Sequence, residues 1–128
     1  FDVIHNYIDT DSMIMRKGAI SAQEGEGVAI PINMRDGIIL GIGKGNPDWN
    51  YSAPHGGGRV MSRSKSKETI DLDSFIETMK GVYSTSVGQS TIDEAPMAYK
   101  PIEEIMSQIQ DTVEITEIIK PIYNFKAD

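Results

Sequence analysis

The segment Ser52-Ala53-Pro54-His55-Gly56-Gly57-Gly58-Arg59-Val60-Met61-Ser62-Arg63 carries the densest chemistry in the chain. It sets a histidine at the mouth of a three-glycine turn and follows it with two arginines four residues apart. Glycines let a backbone approach a ligand closely, and arginine forks match phosphate oxygens in pairs. Backbone N–H groups at the start of a helix would add an anion site. In that setting His55 is a phosphate ligand, a general acid, or the nucleophile that takes a phosphoryl or nucleotidyl group. If a helix starts at the turn, Arg59 and Arg63 fall on one of its faces together with His55.

Other polar residues are less committed by their surroundings. His5-Asn6 is the second histidine site, and a lone histidine in a strand is ordinarily a satisfied core residue. Two histidines without cysteine cannot build a tetrahedral metal site, so any ion must draw ligands from elsewhere. Trp49 and Tyr51 precede the glycine turn and are expected to buttress it. Arg16-Lys17-Gly18 reads as a solvated strand end, Lys126 as a solvated tail, and Glu24 and Glu26 as loop acids.

The elements that must position these residues follow from periodicity. Residues 1–9 and 13–20 read as two strands joined by the turn Asp9-Thr10-Asp11-Ser12. Val28 to Ile32 is a short apolar run in which Pro31 removes a ladder donor, which places it at an edge or a bulge. Asp36-Gly37 turns into Ile38-Ile39-Leu40-Gly41-Ile42-Gly43, expected to be a buried strand. Asp71 caps a helix whose Leu72, Phe75, Ile76 and Met79 share a face, with Gly81 as the stop. Pro101 suits a first helical turn ahead of Ile102, Ile105, Met106 and Ile109. Val113 to Lys126, broken by Pro121, reads as two short strands. Strands first and helices later predict an α+β fold with mixed or antiparallel strands and a few helices.

Composition bounds the rest. The chain has 128 residues, enough for one domain with a core, with 39% apolar and 24% charged residues. No apolar run approaches the length of a membrane-spanning helix. Cysteine is absent, which excludes disulfides within the segment and fits a reducing cytoplasm. The net charge of −7 argues against a dedicated polyanion-binding surface. Cations nevertheless gather at Arg59, Arg63, Lys65 and Lys67, so phosphate or nucleic-acid contact is expected there. Phe1 is not an initiator methionine, and the segment reads as cut from something longer.

Taken in order, several motifs resemble the RtcB family of GTP-dependent RNA ligases. They are Ile4-His5-Asn6-Tyr7, Arg16-Lys17-Gly18-Ala19, Ile30-Pro31-Ile32-Asn33-Met34-Arg35-Asp36-Gly37, Gly43-Lys44-Gly45-Asn46, the His55 segment and Ala98-Tyr99-Lys100. The resemblance covers residues 1–128 and corresponds to the C-terminal portion of that family's catalytic domain. It implies an enzyme that joins RNA 3′-phosphate or 2′,3′-cyclic phosphate ends to 5′-hydroxyl ends in tRNA splicing or RNA repair, using GTP and Mn²⁺. By that resemblance His55 is the nucleophile that carries GMP, and His5 is a manganese ligand bordering, with Asn6, the guanylate pocket. Pro31, Ile32, Asn33 and Met34 correspond to a loop around the nucleotide, as do Gly56, Gly57 and Gly58. Tyr99 and Lys126 correspond to side chains around the guanine, and Arg59 and Arg63 to contacts with RNA or nucleotide phosphates.

The sequence departs from that family where Asn33 and Ile38 stand in place of common serines and where Gly57 replaces a common alanine. The further metal ligands of the family, an aspartate, a cysteine and histidines, belong to its N-terminal portion. The isolated segment is therefore expected neither to hold Mn²⁺ tightly nor to ligate RNA, and to self-associate through uncovered surfaces. Two other readings stay open: a histidine phosphotransferase or cyclic-phosphate hydrolase, and a non-catalytic nucleotide-binding fragment.

Overall fold

In the computed structural model, which describes residues 2–127, three small antiparallel sheets frame two apolar clusters. The first sheet is the hairpin of β1 (Asn6–Asp9) and β2 (Ile14–Lys17). The second pairs β3 (Ala19–Ser21) with β6 (Ser52–Pro54). The third has the order β4 (Gly27–Asn33), β5 (Gly37–Gly43), β7 (Val113–Ile119). The helices are α1 (Arg63–Thr69), α2 (Leu72–Thr78) and α3 (Ile102–Gln108). This is the α+β class expected from the sequence.

The pleat of β4 decides which residues enter the core. Val28, Ile30 and Ile32 alternate inward and pack with Ile39 of β5 and with Ile105, Ile109 and Val113 from the α3 end of the chain. Met34, two residues on, enters the second cluster with Phe75, Met79, Ile92 and Ala98. The segment Pro31–Met34 is thus anchored in both cores, which fixes the backbone between them. Pro31 sits on an edge strand and at a register shift, both expected of a residue without an N–H.

Several expected elements differ. Residues 13–20 are two strands rather than one, because Gly18 adopts φ +66° and turns the chain between β2 and β3. The first strand begins only at Asn6, and Phe1 lies outside the described residues. β5 is half-buried, not buried: Ile38 and Ile42 face outward while Ile39 is inside. Val113 to Lys126 holds one seven-residue strand, and in place of the second a parallel bridge joins Tyr123 to Tyr83.

Both expected helices are present. Asp71 caps α2 by accepting from the Ser74 N–H at 2.9 Å, and Phe75 and Met79 are buried. Ile76, on the expected apolar face, is instead 48% exposed. Pro101 is the residue flanking α3 on its N-terminal side rather than within its first turn, and Ile105 and Ile109 are buried. Helix α1 was not expected. Ser62 caps it, accepting from the Lys65 N–H, but Ser66 is its one buried residue, so it has no apolar stripe to announce it.

Candidate active site

His55 follows directly on β6, and two interactions orient it. Its ring stacks on that of His5, with centroids 4.6 Å apart and planes inclined by 25°. Gly18 lies close by, so a Cβ placed there would come within 3.5 Å of Cδ2 and 3.6 Å of Nε2 of His55. Gly18 is itself held from its N–H, which donates to the carbonyl of His5 and to Oδ1 of Asn6, both at 2.8 Å. The hairpin, the β3–β6 pair and the two histidines are therefore one assembly.

Arg16 ties that assembly together. Its side chain is almost fully buried and donates from Nε to Ser52 Oγ at 2.8 Å, from Nη1 to the Tyr7 hydroxyl at 2.9 Å and from Nη2 to the Tyr51 carbonyl at 3.2 Å. The sequence suggested a solvated strand end; the guanidinium instead satisfies the loop that leads into β6. Trp49 is exposed and does not buttress the turn, whereas the Tyr51 backbone does, accepting from both Arg16 and the Ala22 N–H. Glu26 is spent locally, accepting from Ser21 Oγ and the Gln23 N–H.

The glycine turn runs between two backbone partners. The Gly57 N–H donates to the Pro31 carbonyl at 2.9 Å, and the Lys100 N–H donates to the Gly58 carbonyl at 3.0 Å. Gly58 has φ +69°, a conformation that a side chain would strain. A cavity of about 720 Å³ opens where these segments meet. Pro31, Ile32, Asn33, Met34, His55, Gly56, Gly57, Gly58, Arg59, Tyr99 and Lys126 line it, although they come from four separate stretches of the chain. His5 and Asn6 do not line it and stand behind His55 and Gly18; Arg63 lies outside it as well.

The two arginines do not share a helical face with His55, as they would if a helix started at the turn. The helix starts at Arg63, eight residues beyond the histidine, because the capping side chain is Ser62 and the glycines precede it. Arg59 instead runs across the chain. It donates to the carbonyls of Met61 and Asp93, to Ser66 Oγ and to the Tyr99 hydroxyl, and its guanidinium lies 4.9 Å from the centre of the Tyr99 ring. Arg63 pairs with both Asp93 and Glu94. Most of the donors that the sequence reading assigned to phosphate are thus engaged within the protein.

The side chain of Asn33 is likewise spent. Its Oδ1 accepts from the N–H groups of Arg35 and Asp36, and its Nδ2 donates to Asp36 Oδ2 at 2.8 Å. Asparagine here closes its own turn. Ile38 puts an alkyl group on the cavity wall.

Sequence reasoning missed Glu94 and Asn124, both on the cavity wall. Glu94 collects the Tyr99 hydroxyl at 2.8 Å, the Lys126 ammonium at 3.3 Å, and Arg63. Burial pushes its carboxyl up, but these donors outweigh burial and hold it below the ordinary value. Burial and the same hydrogen bond push the Tyr99 phenol up. Arg63 holds Asp93 below the usual carboxylate range. Asn124 Oδ1 is buried without a hydrogen-bond partner. No periodicity marks either residue; each acquires its place from partners far away in sequence.

Among the described residues no group of three or more histidine, aspartate or glutamate side chains comes together. Beside His55, the chain offers His5 as an imidazole donor and no carboxylate with it. The residues present do not by themselves make a site for a hard divalent cation, which takes several oxygen and nitrogen ligands.

Comparison with known proteins agrees with the order of these motifs. A family model described as "tRNA-splicing ligase RtcB" matches residues 1–127. The chain is 34% identical over 124 residues to the RNA-splicing ligase RtcB of Escherichia coli strain K12, which covers 92% of this chain and 30% of that protein. It is 31% identical over 147 residues to the tRNA-splicing ligase RtcB of Aeropyrum pernix, covering 93% of this chain and again 30% of the relative. The chain thus spans under a third of the length of these relatives. With its motifs matched from the His5 hairpin to the tail that carries Lys126, the chain belongs to the RtcB family.

Proposed function

We propose that this chain is the nucleotide-carrying portion of an RNA ligase that joins 3′-phosphate or 2′,3′-cyclic phosphate ends to 5′-hydroxyl ends, in tRNA splicing or RNA repair. The observation that carries the reading is that His55, its glycine turn and Lys126 open onto one cavity of about 720 Å³, a volume suited to a nucleotide.

In this reading an imidazole nitrogen of His55 attacks the α-phosphorus of GTP, forming a P–N bond as pyrophosphate leaves. A 2′,3′-cyclic phosphate end is first opened by water, which breaks the bond to the 2′ oxygen and leaves a 3′-phosphate; an oxygen of that 3′-phosphate then takes the GMP from the histidine. The 5′-hydroxyl oxygen attacks that 3′-phosphorus, a phosphodiester forms, and GMP departs. Splitting the reaction this way replaces a poor leaving group with a good one. Glycine N–H groups at the turn are suited to charge that grows on the phosphoryl oxygens. The His5 stack and Gly18 fix the ring that must carry the adduct. Mn²⁺, with ligands completed from outside these 128 residues, would supply charge neutralisation at the phosphates.

The test is ligation by the full-length protein of two RNA fragments, one ending in a 2′,3′-cyclic phosphate and the other in a 5′-hydroxyl. Joining should require GTP and a divalent cation. Equal joining with ATP alone, or with no nucleotide, would overturn the reading.

A further inference from the structure

Among the described residues Glu94 is the only acid lining the cavity, and its two oxygens face different partners. Oε2 accepts from the Tyr99 hydroxyl at 2.8 Å and pairs with the Lys126 ammonium at 3.3 Å. Oε1 holds Arg63, with Arg59 at 3.8 Å. Glu94 is 13% exposed in its side chain and Lys126 is 38% exposed, so the pair lies where water screens it only in part.

Lys126 is fixed by its backbone and free in its stem. Its N–H donates to Ser86 Oγ at 2.9 Å and its carbonyl accepts from the same hydroxyl at 3.0 Å. Four rotatable side-chain bonds separate that anchor from the ammonium, and among the described residues Glu94 is the one ion-pair partner at its end. An ammonium carries three donors. One spent on Glu94 leaves two, aimed by the first, which suit acceptors such as the O6 and N7 atoms of a purine. The Tyr99 hydroxyl, by contrast, has its one donor spent on Glu94 while accepting from Arg59, so it offers a base its ring and no donor.

We infer that Glu94 is a positioning residue that aims Lys126 at the base of a bound guanine nucleotide, while the phosphates depend on other groups. The inference rests on the reading of the cavity as a guanylate site. Its signature is a split between base and phosphate: loss of the carboxylate should weaken GTP and leave a bare polyphosphate alone.

The experiment measures dissociation constants for GTP and for inorganic tripolyphosphate in the full-length protein and in E94Q, E94D, K126M and E94Q/K126M, with thermal unfolding to check folding. E94Q should weaken GTP about tenfold and tripolyphosphate less than twofold. K126M should do the same, and the double variant should lose no more than K126M alone, since both act through one contact. E94D, which keeps the charge on a shorter stem, should fall between wild type and E94Q and covers the case in which the glutamine variant does not fold. GTP affinity in E94Q within twofold of wild type, equal losses for GTP and tripolyphosphate, or additive losses in the double variant would each overturn the role. A wild-type protein that binds no GTP would overturn the guanylate reading as well.

Discussion

Replacing Arg16 by methionine tests how the hairpin is coupled to the histidine. The guanidinium is 3% exposed over the residue and makes three hydrogen bonds between 2.8 and 3.2 Å, to Ser52, Tyr7 and the Tyr51 carbonyl. Bonds from a charged donor are worth about 1.5–3 kcal/mol each, and orphaned buried partners would raise the loss further. Here the main acceptors keep second partners. The Tyr51 carbonyl still receives the Ala22 N–H at 2.8 Å, and Ser52 Oγ still donates to the Asn50 carbonyl at 2.7 Å. Methionine also retains much of the apolar stem and releases the cost of burying a charge. The balance is a loss of about 2 kcal/mol. Arg16→Lys, which keeps the charge but not the fork, should lose about 1 kcal/mol. Urea unfolding of the full-length variants measures both. An Arg16→Met protein within 0.5 kcal/mol (roughly one tenth of a typical domain's stability) would refute the coupling.

Gly58→Ala should cost about 1 kcal/mol through its φ of +69°, because an added Cβ meets nothing nearer than Lys100 at 3.9 Å. Gly58→Asn should cost less, and equal losses on urea unfolding would contradict a backbone origin. Asp93 and Glu94 are held below their ordinary values of 3.8 and 4.5, so the unfolded chain takes up their protons first as pH falls. Their contribution is complete above those values and is lost as pH falls through the lowered ones. Asp93→Asn should therefore flatten the acid limb of the stability curve, and an unchanged limb would show that the Arg63 pair contributes nothing.

Legibility in the sequence followed the physics of each element. The α2 helix was readable because its cap, Asp71, and its buried Phe75 and Met79 are all local signals. The β4–β5 hairpin was readable from its two apolar runs and from Asp36-Gly37, but the alternation that leaves Ile38 and Ile42 outside was not. Helix α1 was not, since Ser66 is its one buried residue, and neither were the short turns Gln89–Glu94 and Pro96–Ala98, which lack a period. Gly18 looked like an end of a strand motif and is the break between two strands that brings His5 and His55 together.

The site was legible in its local motifs and obscure in its long-range ones. His55 and its glycines stand side by side in the sequence. The two arginines read as phosphate clamps from spacing alone, yet their partners Asp93, Glu94 and Tyr99 lie 30 to 40 residues away and claim them. Asn33 illustrates the same limit: its place beside the cavity was readable, but not that its amide closes its own turn.

The central claim is that His55 becomes covalently guanylylated. The most direct measurement incubates the full-length protein with GTP and Mn²⁺, digests it, and locates GMP by mass spectrometry. The account predicts GMP on the peptide that contains His55, and its complete loss in His55→Ala. Absence of an adduct in the wild type, or an adduct that survives His55→Ala, would contradict it.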